Sequence, residues 1–422
     1  MKNLLSSNRN FRSLLMYSTF SGIGSGMFSI FMMWVVHALY QNPMYTGIAG
    51  FMFGLPFVVS FIVGPFVDRW NKAVILRIAC FVKLGVTGMI LTTHILSMHS
   101  PWVFFLGILA FCSATLFSGP AYTAVLPRVV NSEDLVKANV LMNMTGILGG
   151  LGIGVVLYMI MAGGGDFAVV YWVNAVVLAL GLLFAFLIAS EESSKKREKA
   201  ALKSYLGELK EGFLFVKKGV MLPLIIALIF MNFFADVAYV NLPMFAEVHL
   251  GTASGYILLS AFALMGGLIG SYIARSVEEK YEVWKIMVGA FVFAGVARIL
   301  FVNVLPVNRS YGIIMFLIYV GIGSTIGIFY QSLIQKLPPK DLISRVDTII
   351  TSLCSVAAAV GALVGGLLGT ILTTVDMVFM IQGGSYIIIG LCLCLPKIVR
   401  AMPKIGEIGK EHDVAPDDEL GL

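Results

Sequence analysis

The sequence predicts an all-α membrane protein, with roughly twelve transmembrane helices in two parallel-related six-helix bundles (6+6), and three observations carry that prediction. Apolar stretches of about twenty or more residues recur from Leu14 to Leu395 with short polar breaks, and about twenty apolar residues are what one helical crossing of a ~30 Å hydrocarbon core requires. Hydrophobic residues make up 59% of the 422 and charged ones 12%, with a mean hydropathy of +0.92. Of the 29 Lys and Arg, all but Lys83, Arg298 and Arg309 fall in the N-terminal tail, alternate loops or the C-terminal tail, the distribution expected when those segments stay on the cytoplasmic side. Continuous apolar runs, rather than short alternating ones, select helices over a barrel, because each segment must satisfy its own backbone in lipid.

In order, the predicted spans cover about 14–39, 46–66, 74–97, 101–127, 138–162, 167–190, 220–246, 254–274, 284–305, 311–335, 346–372 and 376–396. Residues Met1 to Ser13 are polar and basic. The run that follows is too long for a secretory signal and has no small-residue cleavage site, so it reads as a retained first helix. Glu191 to Gly219 is the longest hydrophilic interruption and carries eight basic residues from Lys195 to Lys218. It divides the chain into a bundle at 1–190, a basic linker at 191–219, a second bundle at 220–396 and a cytoplasmic tail at 397–422. Within the linker, Leu202, Tyr205, Leu206, Leu209, Phe213 and Val216 recur at three- and four-residue steps, the pattern of an amphipathic helix on the inner leaflet.

An internal repeat supports the division. Asp134-Leu135 after the fourth span aligns with Asp341-Leu342 after the tenth, and Pro120, Tyr122 and Val130 align with Gly327, Phe329 and Leu337. Gly146, Gly150 and Gly154 in the fifth span face the region of Gly361, Gly365 and Gly369 in the eleventh, and in register Gly154 meets Gly361. Four-residue spacing puts these glycines on one helical face, where backbones approach closely; they are expected at the junction between bundles. Parallel repeats of this kind occur in secondary transporters whose substrate site lies between the halves.

The loop between the second and third spans reads Gly64-Pro65-Phe66-Val67-Asp68-Arg69-Trp70-Asn71-Lys72. Here the chain resembles the major facilitator superfamily, whose motif is G-x-x-x-D-R-x-G-R/K; Gly64, Asp68, Arg69 and Lys72 match. Asn71 stands in place of a glycine, which is compatible with a left-handed backbone. The resemblance implies that Asp68 acts as a gating latch near the start of the eleventh span, accepting backbone amides around Arg345 to Thr348. The corresponding loop at Gly270 to Arg275 has Ala274 where the Asp would be, so the latch is expected on one side only.

A finer resemblance is to the drug:proton antiporter-3 group of macrolide and multidrug efflux proteins. It rests on Ser118-Gly119-Pro120-Ala121, Leu126-Pro127, Asp134-Leu135, Lys137-Ala138-Asn139, Asn174 and Leu242-Pro243. Where many relatives carry an acidic residue in the third span, this chain has Cys80. The group also contains siderophore exporters and lysophospholipid flippases.

Ionisable residues in a bilayer are costly and default to function. Asp236 in the seventh span is the leading one, for a cationic substrate or a proton, with Asn232, Tyr239 and Asn241 beside it. Phe31, Trp34, Tyr330 and Gln331 are candidates for the wall of an aromatic cavity. Lys83 and Arg298 are intramembrane charges expected as ion-pair partners or snorkelling residues, although Arg298 could reach inward and hold an anion. His37, His94 and His99 are expected to face water or headgroups. The five cysteines lack metal-ligand spacing and read as packing residues.

The sequence contains no phosphate-binding loop, nucleophile elbow or metal cluster, so no enzyme activity and no cofactor is expected. The resulting expectation is a proton-coupled, alternating-access exporter of lipophilic or cationic compounds in the inner (cytoplasmic) membrane, with both termini cytoplasmic. Its partners would be an amphiphilic small molecule, protons and lipids, with no nucleic acid, and a monomer suffices. A different cargo such as a siderophore, lysolipid or other anionic amphiphile is the alternative, and a non-transporting receptor the more distant one.

Overall fold

Apolar runs bounded by Asn, Asp and Pro become helices whose ends are fixed by those same residues. The structure, a computed structural model, describes residues 8–130, 134–188, 211–217, 219–339, 342–405 and 407–408; the side chains of Gly64, Pro65, Asp68, Arg69 and several residues of 136–151 lie outside that description. In chain order the helices are α1 (Arg9–Tyr40), α2 (Pro43–Val58), α3 (Ser60–Arg69), α4 (Lys72–Ile95), α5 (Pro101–Val129), α6 (Leu135–Ala162), α7 (Phe167–Leu187), α8 (Met221–Tyr239), α9 (Leu242–Leu250), α10 (Ala253–Val277), α11 (Val283–Val304), α12 (Arg309–Lys336), α13 (Ile343–Ile371), α14 (Val375–Leu393) and the short α15 (Lys397–Arg400). Among the described residues there is no strand. Among the described residues, eleven spans are long and apolar enough to cross a membrane, the α2–α3 region counting once as Pro43–Val63. The 28-residue α6 is apolar over its described Gly152–Ala162 portion. Large apolar side chains point outward, with Phe81 at 69% and Trp102 and Phe293 at 67% exposure. Only a lipid surface makes such a periphery favourable.

The caps are local. Asn8, Asn42, Asp166 and Asn308 accept amides of the first turns of α1, α2, α7 and α12, each satisfying donors that a helix start leaves open. Asn71 does the same for α4, taking the Ala73 and Val74 amides at φ −65°, ψ 117°. The left-handed backbone expected at Asn71 is therefore corrected: the residue is extended and serves as an N-cap.

Two predicted spans are broken. The second divides at Val59, just after Pro56, which has no N–H to give and crowds the preceding turn. The seventh ends at Tyr239, and α9 begins at Leu242. Pro243 cannot donate to the carbonyl of Tyr239, and Asn241 directs its amide to the carbonyls of Val237 (2.9 Å) and Gly365 (2.8 Å).

The chain forms two compact units. Unit 1 comprises 1–195 together with 242–261, and unit 2 comprises 196–241 together with 262–422. Within unit 1, α1 packs on α6 and α7, and α4 on α5 and α7. Unit 2 repeats the scheme, with α8 on α13 and α14, and α11 on α12 and α14. The core of unit 1 gathers Phe11, Leu14, Leu76 and Leu126; that of unit 2 gathers Met287, Phe291, Phe329, Leu333 and Val346.

Three expectations change here. Gly361 and Gly365 serve packing inside unit 2: a methyl at Gly361 would strike the Phe233 carbonyl, and one at Gly365 the Val237 carbonyl, both on α8. Gly154 meets Ala261 of α10, while a methyl at Gly146 would meet nothing. In the linker, 211–216 is helical and Val216 is buried in the unit 2 core rather than lying on a leaflet; Leu202, Tyr205, Leu206 and Leu209 lie outside the described residues. The first part of the expected tail is also packed in, with Val399, Met402 and Ile405 in the same core and Lys336 Nζ bonded to the Ile405 carbonyl at 2.8 Å.

Candidate substrate cavity

Unit 2 contains a cavity of about 310 Å³, the lower end of the range that takes small organic ligands. Three helices supply its wall. From α8 come Leu228 and Asn232, from α12 Gly327, Tyr330, Gln331 and Ile334, and from α13 Asp347, Ile350, Thr351, Cys354, Ser355 and Ala358. Gly327 contributes no side chain, and Ala358, Ser355 and Thr351 are small, so the space persists where three helices meet.

Polar groups converge on it from each helix. Asn232 uses its Nδ2 on the Leu228 carbonyl at 2.8 Å, which leaves the Oδ1 as an acceptor. Tyr330 is 3% exposed, and its hydroxyl finds no partner among the described residues. Gln331 lies within hydrogen-bonding reach of the half-buried Asp347 carboxylate. Arg345 is bonded to Glu211 at 2.8 Å, and residues two apart on a helix do not share a face. Among the described residues no ion pair neutralises Asp347. An apolar cleft with one carboxylate that no ion pair neutralises among the described residues, and several amide and hydroxyl groups, is equipped to hold a cationic group against an otherwise lipophilic body.

Of the sequence candidates, Asn232, Tyr330 and Gln331 are brought together here. Asp236 does not line the cavity. It stands in the last turn of α8, rather than deep in a continuous helix, with no side-chain hydrogen bond or ion pair among the described residues. Tyr239 is 39% exposed, and Asn241 is fully buried and spent on two carbonyls. Phe31 and Trp34 belong to the packing of unit 1: Phe31 meets Phe167 and Tyr171 edge-on at 5.5 and 5.3 Å, and Trp34 stacks on Tyr256 at 5.8 Å. In the motif loop Lys72 is buried, while the Asp68 and Arg69 side chains lie outside the described residues.

His37 departs from expectation. It is 2% exposed rather than facing headgroups, and its Nε2 lies 2.7 Å from Glu247 Oε2 of α9, inside unit 1. His94 bonds Asp166 at 3.1 Å. Asp347 is the cavity-lining carboxylate that sequence reasoning missed. It stands among Lys340, Asp341 and Arg345 and so reads as one more loop charge, although Val346 and Ile350 around it already show the apolar spacing of a buried helix face.

Comparison with known proteins completes the site's context. Residues 14–362 match the family model described as Major Facilitator Superfamily. The chain is 24% identical over 292 residues to the uncharacterized MFS-type transporter YkuC of Bacillus subtilis (strain 168), covering 65% of this chain and 67% of that one. It is 26% identical over 239 residues to YvqJ of the same organism, also an uncharacterized MFS-type transporter, covering 53% and 54%. Among solved structures it is similar to a mutant form of the nucleoside transporter NupG, with a TM-score of 0.75, 14% identity and coverage of 91% and 98%. A D-xylose-proton symporter matches with a TM-score of 0.70, 13% identity and coverage of 94% and 98%. Likeness at these identities shows the fold alone.

Proposed function

The chain belongs to the Major Facilitator Superfamily, and from that premise we propose that it is a proton-coupled exporter of lipophilic cations, of the drug:proton antiporter-3 kind, working by alternating access in the inner membrane with both termini in the cytoplasm. The observation that supports this reading best is the Asp347 carboxylate, hydrogen-bonded by Gln331 but in no ion pair among the described residues, in the unit 2 cavity of about 310 Å³. On this reading the cationic group sits against Asp347, Gln331 and Asn232 orient its polar atoms, and Ile334, Ile350 and Leu228 hold its apolar part. A proton and a cation compete for the same carboxylate, which is the simplest way to make inward proton movement expel a substrate.

Asp236 is the second carboxylate of the scheme and is proposed as a relay rather than as a cavity wall. Asp68, Arg69, Gly64 and Lys72 are proposed as the gating loop, on the motif alone. The test loads fluorescent organic cations into energised vesicles and follows efflux with and without a protonophore. Wild type is expected to export in a protonophore-sensitive way, Asp347→Asn to lose export altogether, and Asp236→Asn to lose proton dependence. Undiminished export by Asp347→Asn at wild-type expression would remove the cavity from the mechanism.

A further inference from the structure

Arg298 lies in the second half of α11, 4% exposed, inside a cage of aromatic rings. Its guanidinium carbon is 4.5 Å from the ring centroids of Tyr319 and Phe379, 5.4 Å from Phe301 and 5.9 Å from Phe316. Ring faces offset part of a cation's lost hydration, but they accept no hydrogen bond of ordinary strength. Nε and Nη1 are buried and have no acceptor among the described residues, and no carboxylate there pairs with the group. Beside it Gln382 of α14 donates Nε2 to the Tyr319 hydroxyl at 2.8 Å, while its Oε1 is also buried without a partner. Helices α11 and α14 close one wall of the cage: a methyl at Gly383 would crowd the Gly295 carbonyl and the Arg298 Cβ.

Unit 1 provides an internal control. Lys83 of α4, the helix equivalent to α11 in the repeat, is 2% exposed and also faces a ring, Phe111, at 5.5 Å. It donates to Ser25 at 3.0 Å and Ser21 at 3.4 Å. Asn174 holds in α7 the place Gln382 holds in α14. It donates to the Gly24 carbonyl at 2.8 Å and accepts from Thr87 at 3.1 Å. The first unit gives its buried basic residue and both ends of its buried amide partners from its own side chains and backbone, whereas in the second Arg298 Nε and Nη1 and Gln382 Oε1 have none among the described residues. A guanidinium, moreover, has no neutral form to retreat to in a protein, and an uncompensated buried charge is strongly unfavourable.

We propose that the cage between α11, α12 and α14 is a binding site for a small monovalent anionic group, a halide or a carboxylate, held by the Arg298 Nε and Nη1. A water accompanying it would donate to Gln382 Oε1 and complete the set. A water alone would satisfy the hydrogen bonds but leave the charge, which is why the occupant is anionic. The shared chemistry admits two sources, an inorganic halide or the carboxylate of an organic solute.

The test uses the purified full-length protein at constant ionic strength, with sodium sulfate, a larger divalent anion that carries no carboxylate, as the reference, exchanged for sodium chloride or sodium acetate. The melting temperature should rise saturably in chloride, in acetate or in both, and equilibrium dialysis of radioactive chloride or acetate should find one site per chain. The anion that acts identifies the source. Arg298→Gln should abolish the rise, whereas Lys83→Gln should keep it in full. Should Arg298→Gln fail to fold, Phe379→Trp, which fills the cage without removing the charge, should weaken the anion's effect at least tenfold. No difference between sulfate and either anion in wild type, or a full response in Arg298→Gln, would overturn the proposal and leave water as the occupant.

Discussion

In unit 1, Asn174 joins α1 to α4 through Gly24 and Thr87, and Lys83 is wrapped by two serines; in unit 2, the equivalent helices carry Gln382 and Arg298 with open valences. The helix pairings are the same, so the difference is one of side chains alone. Short Asn and Ser reach a neighbouring backbone and hold it, which makes the first cluster a fastening. Long Gln382 spends Nε2 on Tyr319 but leaves Oε1 open, and Arg298, surrounded by rings, leaves Nε and Nη1 open for the anion proposed above. A duplicated fold can thus retain its packing plan while one copy closes its buried polar cluster and the other leaves polar atoms unpartnered.

This contrast can be broken at its strongest point by replacing Ser21 and Ser25 together with Ala. Lys83 is then left buried without acceptors, and unfolding stability should fall by about 3 kcal/mol, read by denaturation in detergent. Adding Lys83→Met should restore most of it; a triple variant no better than the double would show that the serines do not solvate the ammonium. The glycines sharpen the same contrast. Gly361→Ala should cost about 2 kcal/mol, because the methyl meets a backbone carbonyl that cannot turn aside, while Gly146→Ala should change stability by no more than about 0.5 kcal/mol.

Next comes the amide pair. Asn174→Leu should cost about 1.5 kcal/mol, since it removes the bonds to the Gly24 carbonyl and the Thr87 hydroxyl that join α1 to α4, and Gln382→Leu less than about 1 kcal/mol, since its Oε1 holds no partner to lose. Equal costs would erase the distinction between the two units.

The smallest effect is a pH dependence. Asp166 is held below the usual carboxylate range, first by the Ala168 amide and then by His94. Its folded value lies below its unfolded one, so its contribution is present above the ordinary carboxylate range of about pH 4 and is lost as pH falls through the folded value. Asp166→Asn should flatten that segment of the stability profile slightly, the carboxylate being 69% exposed and its pair screened.

The helices were legible because length and hydropathy alone decide them in lipid. The breaks at Val59 and Asn241 were not, although Pro56 and Pro243 mark both: a proline in an apolar run is tolerated when neighbouring helices satisfy the freed groups, and which outcome holds depends on tertiary partners. Asn232, Tyr330 and Gln331 were found as polar residues on apolar helices. Asp347 was hidden because a carboxylate near a loop looks like loop charge until α8 and α12 close around it. His37 was misread for the converse reason, since only Glu247, far along the chain, makes a buried position at a helix end acceptable. Asn71 was judged by the glycine it replaces, when its own capping chemistry decides its backbone.

The break after Asn241 has a consequence for how the gene can be divided. Because α9 and the start of α10 belong with unit 1, a chain cut between 195 and 211 does not yield two self-sufficient pieces. The upstream fragment lacks the segment that brings Glu247 to His37 and Tyr256 to Trp34, and the downstream fragment carries that segment with nothing to receive it. The two should therefore be inert when made apart and recover when made in the same cell, each acting as the other's folding template.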